Sequence, residues 1–215
     1  MPRTARIDRK QIVAAAIRVA DREGLAGLTM KRIGQEIGVE AMSLYRYVPN
    51  KDALLIAIAE ELILGITVPE VVGVDDWETL TSKALGSVRD VARAHPNLFL
   101  LLLDRAPHSR TEARLIEGFV GMMRTIGLDG PTALSVFRAL SDYAIGFALV
   151  ELRGFALEPG RSTIHPDTLP TDEFPEIARL RTTLTDTNHD AEFAFGLDLL
   201  FTGIRTRIAD GRQDA

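Results

Sequence analysis

The stretch LTMKRIGQEIGVEAMSLYRYVPNK, Leu28 to Lys51, constrains this chain more than any other, because it holds two short helical patterns with only Gly38 and Val39 between them. Thr29 is placed to cap the first pattern, whose Ile33 and Ile37 fall on one face, and Gly38 stops it. The second pattern starts near Glu40 and runs to about Tyr45, ahead of Val48-Pro49, where proline forbids continuation. Two helices joined by a tight glycine-containing turn form a helix-turn-helix, whose second helix can lie in a DNA major groove while the first crosses the backbone. In that arrangement Val39 and Leu44 anchor the second helix, and Ala41, Met42, Ser43, Tyr45 and Arg46 face outward.

The flanking residues suit phosphate. Asn50 is placed to cap a further helix with Lys51 in its first turn. Together with Tyr47 they form an expected clamp on one DNA strand, since hydroxyls, ammonium groups and helix N-termini bind phosphate. Thr29 and Lys31 are positioned to grip a neighbouring strand. Ala41, Met42, Ser43, Tyr45 and Arg46 are the expected base readers. Charge supports this division of labour. Residues 1–51 carry ten Lys or Arg against five Asp or Glu, a balance of +5 inside a chain of net charge −5, so the remainder stands at −10. Charge separated in this way implies separate partners.

The length of 215 residues is enough to bury a real core as one large domain or as a small one joined to a larger one. A chain without cysteine has no disulfide, thiolate nucleophile or Cys-based metal site, and a reducing compartment fits. No basic start leads into an apolar targeting segment. The longest apolar run, Leu98 to Leu103, falls far short of the roughly 18 residues of a membrane span, so the expected location is the cytoplasm with no membrane partner.

Helical periodicity runs through the chain with no convincing strand, which predicts an all-α fold. Residues 8–23 read as the first helix, capped by Asp8 and ended by Gly24. After Asn50, Leu54, Leu55, Ile58, Leu62 and Ile63 line one more helix. Further helices are expected at about Asp76–Ala94, Asn97–Asp104, Ser109–Ile126, Gly130–Leu157, Pro175–Thr185 and His189–Ala209. Breakers at His95-Pro96, Ala106-Pro107 and Gly127-Leu128-Asp129-Gly130-Pro131 separate them. Glu158 to Pro175, with four prolines, reads as a mobile surface connection rather than a domain boundary.

The motifs Leu28-Thr29, Ile33-Gly34 with Ile37-Gly38-Val39, Leu44-Tyr45 with Tyr47-Val48, and Asn50-Lys51 with Leu54 occur together in the register of one family. Over about residues 8–65 the chain resembles the N-terminal domain of TetR family transcriptional repressors. The resemblance implies an N-terminal three-helix DNA-binding domain, residues 1–52, with a connecting helix at about 51–65. A larger α-helical effector-binding and dimerisation domain, residues 53–215, is implied to follow, with the protein acting as a homodimer on a palindromic operator. The C-terminal part is similar to that of the tetracycline repressor through Trp77, Ala106-Pro107, Ala139–Leu149 and Ala191–Ile204. Counted back from Pro107, the position of a metal-ligating histidine in tetracycline-responsive relatives is Leu102, and their polar drug contacts fall on Thr67, Ala84, Arg105 and Gly118. A leucine does not coordinate magnesium. The implied effector is therefore a small, mostly apolar molecule other than magnesium-tetracycline, with no cofactor. The expected lining is Thr67, Val88, Leu102, Arg105, Phe119, Met122, Phe137, Tyr143 and Phe147. Met and aromatic residues at helical spacing are also plain core material.

Helices at about 131–157 and 189–209, rich in Ala, Gly, Leu and Phe, are the expected four-helix dimer interface, with Leu134, Phe137, Leu149, Phe193, Leu197 and Leu200 as interface positions. The alternative is that both lie inside a monomer. His95, His108, His165 and His189 stand at helix ends or in loops, and no pair has the i,i+3 or i,i+4 spacing of a metal site. Asp104, Arg105 and His108 are the only compact polar group resembling a catalytic set. They straddle Pro107 without a nucleophile motif, a P-loop or a His-Glu-x-x-His, so an enzyme is not expected. A basic adaptor for an acidic protein is a third class, and it would show no salt-linked DNA affinity.

Overall fold

Asp8 opens the first helix with a reciprocal cap: its carboxylate accepts from Gln11 N at 2.8 Å while Gln11 Oε1 accepts from Asp8 N at 3.2 Å. From there the chain is helix after helix. The computed structural model describes residues 7–67, 76–105, 110–154 and 164–213, and among them there is no strand. In order the helices are α1 (Arg9–Gly27), α2 (Met30–Ile37), α3 (Ala41–Leu44), α4 (Lys51–Leu64), α5 (Trp77–Ala94), α6 (Leu100–Arg105), α7 (Arg110–Thr125), α8 (Gly130–Arg153), α9 (Pro175–Arg179), α10 (Arg181–Thr185) and α11 (His189–Gln213), with a 3-10 turn at Pro166–Thr168. The fold is all-α, as expected.

Boundaries shift where local chemistry overrides the pattern. α1 continues past a kink at Gly24 (φ 71°, ψ 175°) rather than stopping there. Residues 97–99 form a turn on the His95 carbonyl, so α6 begins three residues later than its periodicity suggests. The helix read over Pro175–Thr185 is two helices meeting at Leu180, whose N–H is shared between the Glu176 and Ile177 carbonyls. α8 ends at Arg153 on Gly154. The connection read as mobile holds, from Ile164 onward, a 3-10 turn with a buried Pro166; its stretch from Glu158 to Thr163 lies outside the described residues, as do Pro107 and His108 and the side chain of Arg105.

Contacts gather the chain into two compact units: one from Met1–Val72 with Asp90–Met122, the other from Gly73–Arg89 with Met123–Ala215. This grouping by contact is not the division at residue 52, which groups residues by expected partner. In the first unit Ile12, Ala16, Val19, Leu28, Ile33, Leu44, Leu54 and Ile58 are fully buried and form the core of α1–α4, and α4 also packs on α6. Leu98 and Phe99, of the same unit, are buried as well.

The second unit is organised around a buried cation. Arg89 on α5 is 5% exposed. Its guanidinium meets Glu151 of α8 through two bonds of 3.0 and 3.1 Å and Asp190 of α11 through one of 3.0 Å. The rings of Phe147 and Phe193 lie 5.0 and 4.4 Å from its charge centre. Tyr143 stacks on Phe193 at 5.3 Å, and its hydroxyl donates to the Phe193 carbonyl at 3.0 Å. Three helices thus share one charge-assisted knot, with Arg89 buried, Glu151 nearly so and Asp190 at the solvent edge. α8 is by length and composition apolar enough to cross a membrane, and 28% of its most apolar 18-residue stretch is buried within the chain's own fold.

Removing Glu151 leaves the buried Arg89 with the solvent-exposed Asp190 as its remaining carboxylate among the described residues. Glu151→Leu is expected to lower unfolding free energy in urea by about 3 kcal/mol, and the double change Glu151→Leu with Arg89→Met is expected to recover most of it. Equal losses in the single and double variants would contradict a compensated pair.

Candidate nucleic-acid interface

The expected turn is built as a close crossing. Thr29 Oγ1 accepts from Arg32 N at 3.2 Å and starts α2, and Gly38, at φ 74°, ends it in the left-handed conformation. Val39 N then donates back to the Gly34 carbonyl at 2.8 Å. A Cβ on Gly34 would stand 2.6 Å from the Val39 carbonyl oxygen and 3.2 Å from Ala41 N, so this crossing excludes every residue but glycine at that position. α3 follows as a single turn fixed from below by Leu44 and, one step on, by Val48, both buried.

The expected contact residues are exposed or half-buried. Met42 is 74% and Tyr45 42% exposed. Thr29, Lys31, Arg46 and Lys51 are exposed too, and Ala41, Ser43 and Tyr47 are half-buried. Arg46 lies 5.9 Å over the Tyr47 ring, a contact that limits its rotamers without neutralising it. Asn50 Oδ1 accepts from Ala53 N at 2.8 Å, leaving the first turn of α4 open beside Lys51.

Charge in the head divides in a way that residue counting missed. Glu36 on α2 takes Arg22 at 2.6 Å and Arg18 at 3.2 Å, Glu23 takes Arg32 at 2.7 Å, and Glu60 takes Arg9 at 3.6 Å. These arginines are occupied in holding α1, α2 and α4 together. Lys31, Arg46 and Lys51 carry no ion pair among the described residues. The signal for this was in the sequence, since Arg18 and Arg22 stand i,i+4 on one helix, a like-charge spacing that calls for a facing carboxylate. Hydrogen bonds from Arg22 and then Arg18 hold the Glu36 carboxyl below its ordinary range.

The expected effector residues fall into two groups. Phe119 and Met122 are buried, Leu102 half-buried and Thr67 exposed within the first unit. Val88, Phe137, Tyr143 and Phe147 belong to the second unit and are half-buried there. Tyr143 and Phe147 come together, with ring centroids 5.9 Å apart, beside Arg89, a cation that pattern reading overlooked. Burial raises the Tyr143 hydroxyl above its ordinary pKa. Of the expected dimer positions, Phe193 and Leu197 are buried in the protomer. Phe195 and Leu199 are the residues that α11 exposes, at 66% and 59%.

Among the described residues the chain is helical, and its glycine-crossed helix-turn-helix presents exposed cations; comparison with known proteins identifies the class to which this architecture belongs. Residues 12–58 match the family model described as bacterial regulatory proteins, tetR family, and residues 69–208 match the one described as tetracyclin repressor-like, C-terminal domain. The chain belongs to the TetR family, whose members are DNA-binding, ligand-responsive transcription factors that act as dimers, not enzymes. It is 28% identical to the HTH-type transcriptional repressor DrrR1 of Streptomyces coeruleorubidus, over 99% of this chain and 82% of that one. With the class D tetracycline repressor of Escherichia coli it shares 25% identity, over 95% and 92%. Among solved structures it is similar to apo ActR of Streptomyces coelicolor, at TM-score 0.79 and 26% identity over 97% of this chain and 99% of that one. The same protein in complex with actinorhodin aligns at TM-score 0.75 and 26% identity, over 94% and 98%.

The Glu36 cluster yields a pH dependence of stability. Because its folded-state pKa is depressed, its contribution is present above the unfolded carboxylate value of about 4.3 and is lost as pH falls through the folded value. Chemical unfolding at pH 7 and pH 3 is expected to show a smaller acid-induced loss in Glu36→Gln than in the parent. Identical losses would mean that the cluster does not stabilise the head.

Proposed function

We propose that this protein is a repressor that binds a palindromic operator as a homodimer and is released by a small, mostly apolar effector other than magnesium-tetracycline. The observation that carries the reading is the set of exposed, unpaired cations, Lys31, Arg46 and Lys51, flanking the one-turn α3 with its outward Met42 and Tyr45. In this reading each protomer lays α3 in a major groove, the two half-sites standing about one helical turn, roughly 34–36 Å, apart. Thr29, Lys31, Tyr47 and Lys51 hold phosphates, while Ala41, Met42, Ser43, Tyr45 and Arg46 address base edges.

Two copies pair through α8 and α11. The support is the outer side of α11 with Phe195 and Leu199, and that of α8 with the exposed Ala139, Gly146 and Val150, an apolar surface that a second copy would cover. The same partner accounts for the apolar length of α8 without a membrane, which fits a cytoplasmic location. The DNA-binding domain extends through residue 52, with α4 connecting to an effector and dimerisation domain over 53–215. The effector is held by those of the expected residues that share the first unit with α4, Thr67, Leu102, Phe119 and Met122, and a state with α4 displaced binds it better, which is what makes the device a switch. Leu102 argues against a metal-borne ligand, and ActR, bound to actinorhodin in one structure, is a relative whose ligand is not a tetracycline by name.

Selection of bound fragments from the native genome, followed by gel shift, tests the reading. Lys51→Ala and Tyr47→Phe are expected to weaken all duplexes by similar factors, about tenfold for the charge, whereas Arg46→Ala is expected to change which sequence is preferred. The reverse pattern would show that the roles are misassigned. Leu199→Arg is expected to sediment as a monomer and to lose operator affinity; an unchanged sedimentation coefficient would rule out this interface.

A further inference from the structure

Between the end of α5 and the start of α6 the chain turns at His95-Pro96-Asn97, and this corner reaches back to α1. His95 Nδ1 lies 2.9 Å from Asp21 Oδ2. The Asn97 side-chain amide donates twice, to the Ala20 carbonyl at 3.2 Å and to the Asp21 carbonyl at 3.1 Å. Those two carbonyls stand in the last turn before the kink at Gly24. Asn97 reaches them from another part of the chain. All these residues belong to the first compact unit.

The head is therefore attached to α6 and its corner in two chemically different ways. One is α4, which packs on α6 through apolar side chains. Apolar packing holds surfaces together but is non-directional, so it leaves rotation about α4 weakly opposed. The other is the corner clasp on α1, made of hydrogen bonds, whose angular dependence is steep. A groove of about 370 Å³ is lined by Leu62 and Leu64 of α4 and by His95 of the corner. A body held at two separated places, one of them directional, has its angle fixed.

We propose that Asn97 and His95 are positioning residues that set the angle of the DNA-binding head, and with it the distance between the two recognition helices of the dimer.

The inference rests on the dimeric, two-half-site reading, and the test separates the two. The full-length chain is titrated against the duplex recovered by genomic selection, against the same duplex with two base pairs inserted between the half-sites, and against a single half-site. The parent is expected to discriminate strongly between the first two. Asn97→Ala is expected to lower that discrimination about tenfold while single half-site affinity and melting temperature stay near the parent's. His95→Ala is expected to act in the same direction, and Asp21→Asn, which keeps an acceptor toward His95, to stay close to the parent. Unchanged spacing discrimination in Asn97→Ala overturns the clasp, as does an equal loss on all three duplexes, which would make Asn97 a stabiliser of the head only. A parent that binds none of the three overturns the functional reading and the clasp with it.

Discussion

The distance between the Gly34 α-carbon and the Val39 carbonyl is the constraint on which the DNA-binding end depends. With a hydrogen at the Cβ position, α2 can be crossed so closely that Val39 N reaches the Gly34 carbonyl, and α3 leaves the turn at once. With any side chain there the crossing opens, Leu44 loses its seat, and Met42, Tyr45 and Arg46 point elsewhere. One missing methyl group thus decides where three recognition side chains stand. The left-handed Gly38 finishes the same turn by ending α2 without strain.

Once that crossing exists, the arginines sort themselves. Glu36 lies on α2 opposite Arg18 and Arg22 of α1 and draws both, so a head with a large excess of positive charge spends much of it on its own packing. What remains available to a polyanion is smaller and better placed than the net charge suggests. In the other unit the balance reverses: a single cation, Arg89, is taken out of water and matched by two carboxylates and two aromatic faces, fixing α5, α8 and α11 against one another. Charge organises both units, at the surface of one and in the interior of the other.

Much of this was legible in the sequence wherever a local rule decides. Asp8, Thr29, Asn50 and Gly38 announce their caps because capping depends on the residue and its immediate neighbours, and all four are used as read. The all-helical fold and the family followed from periodicity and motif register. Long-range partners were not legible. Nothing near Arg89 in sequence announces Glu151 or Asp190, because that pairing is set by the packing of three helices. Phe193 and Leu197 look like Phe195 and Leu199 in a helix apolar on several sides, and only burial tells which pair faces the protomer core. Asn97 reads as the start of a helix, and nothing near it in sequence announces its two bonds to the carbonyls of α1.

The central claim is that the unpaired cations, not the basic total of the head, meet DNA. Its most direct measure is the slope of log affinity against log salt for the selected duplex. Each neutralised phosphate contributes a slope of about −0.9, so a dimer using the phosphate-facing Lys31 and Lys51 twice is expected to show a slope of about −3.6. Replacing those two by alanine is expected to remove most of it, whereas Arg22→Ala, whose guanidinium is committed to Glu36, is expected to leave it unchanged. A slope untouched by the double change, or abolished by Arg22→Ala, would contradict the account.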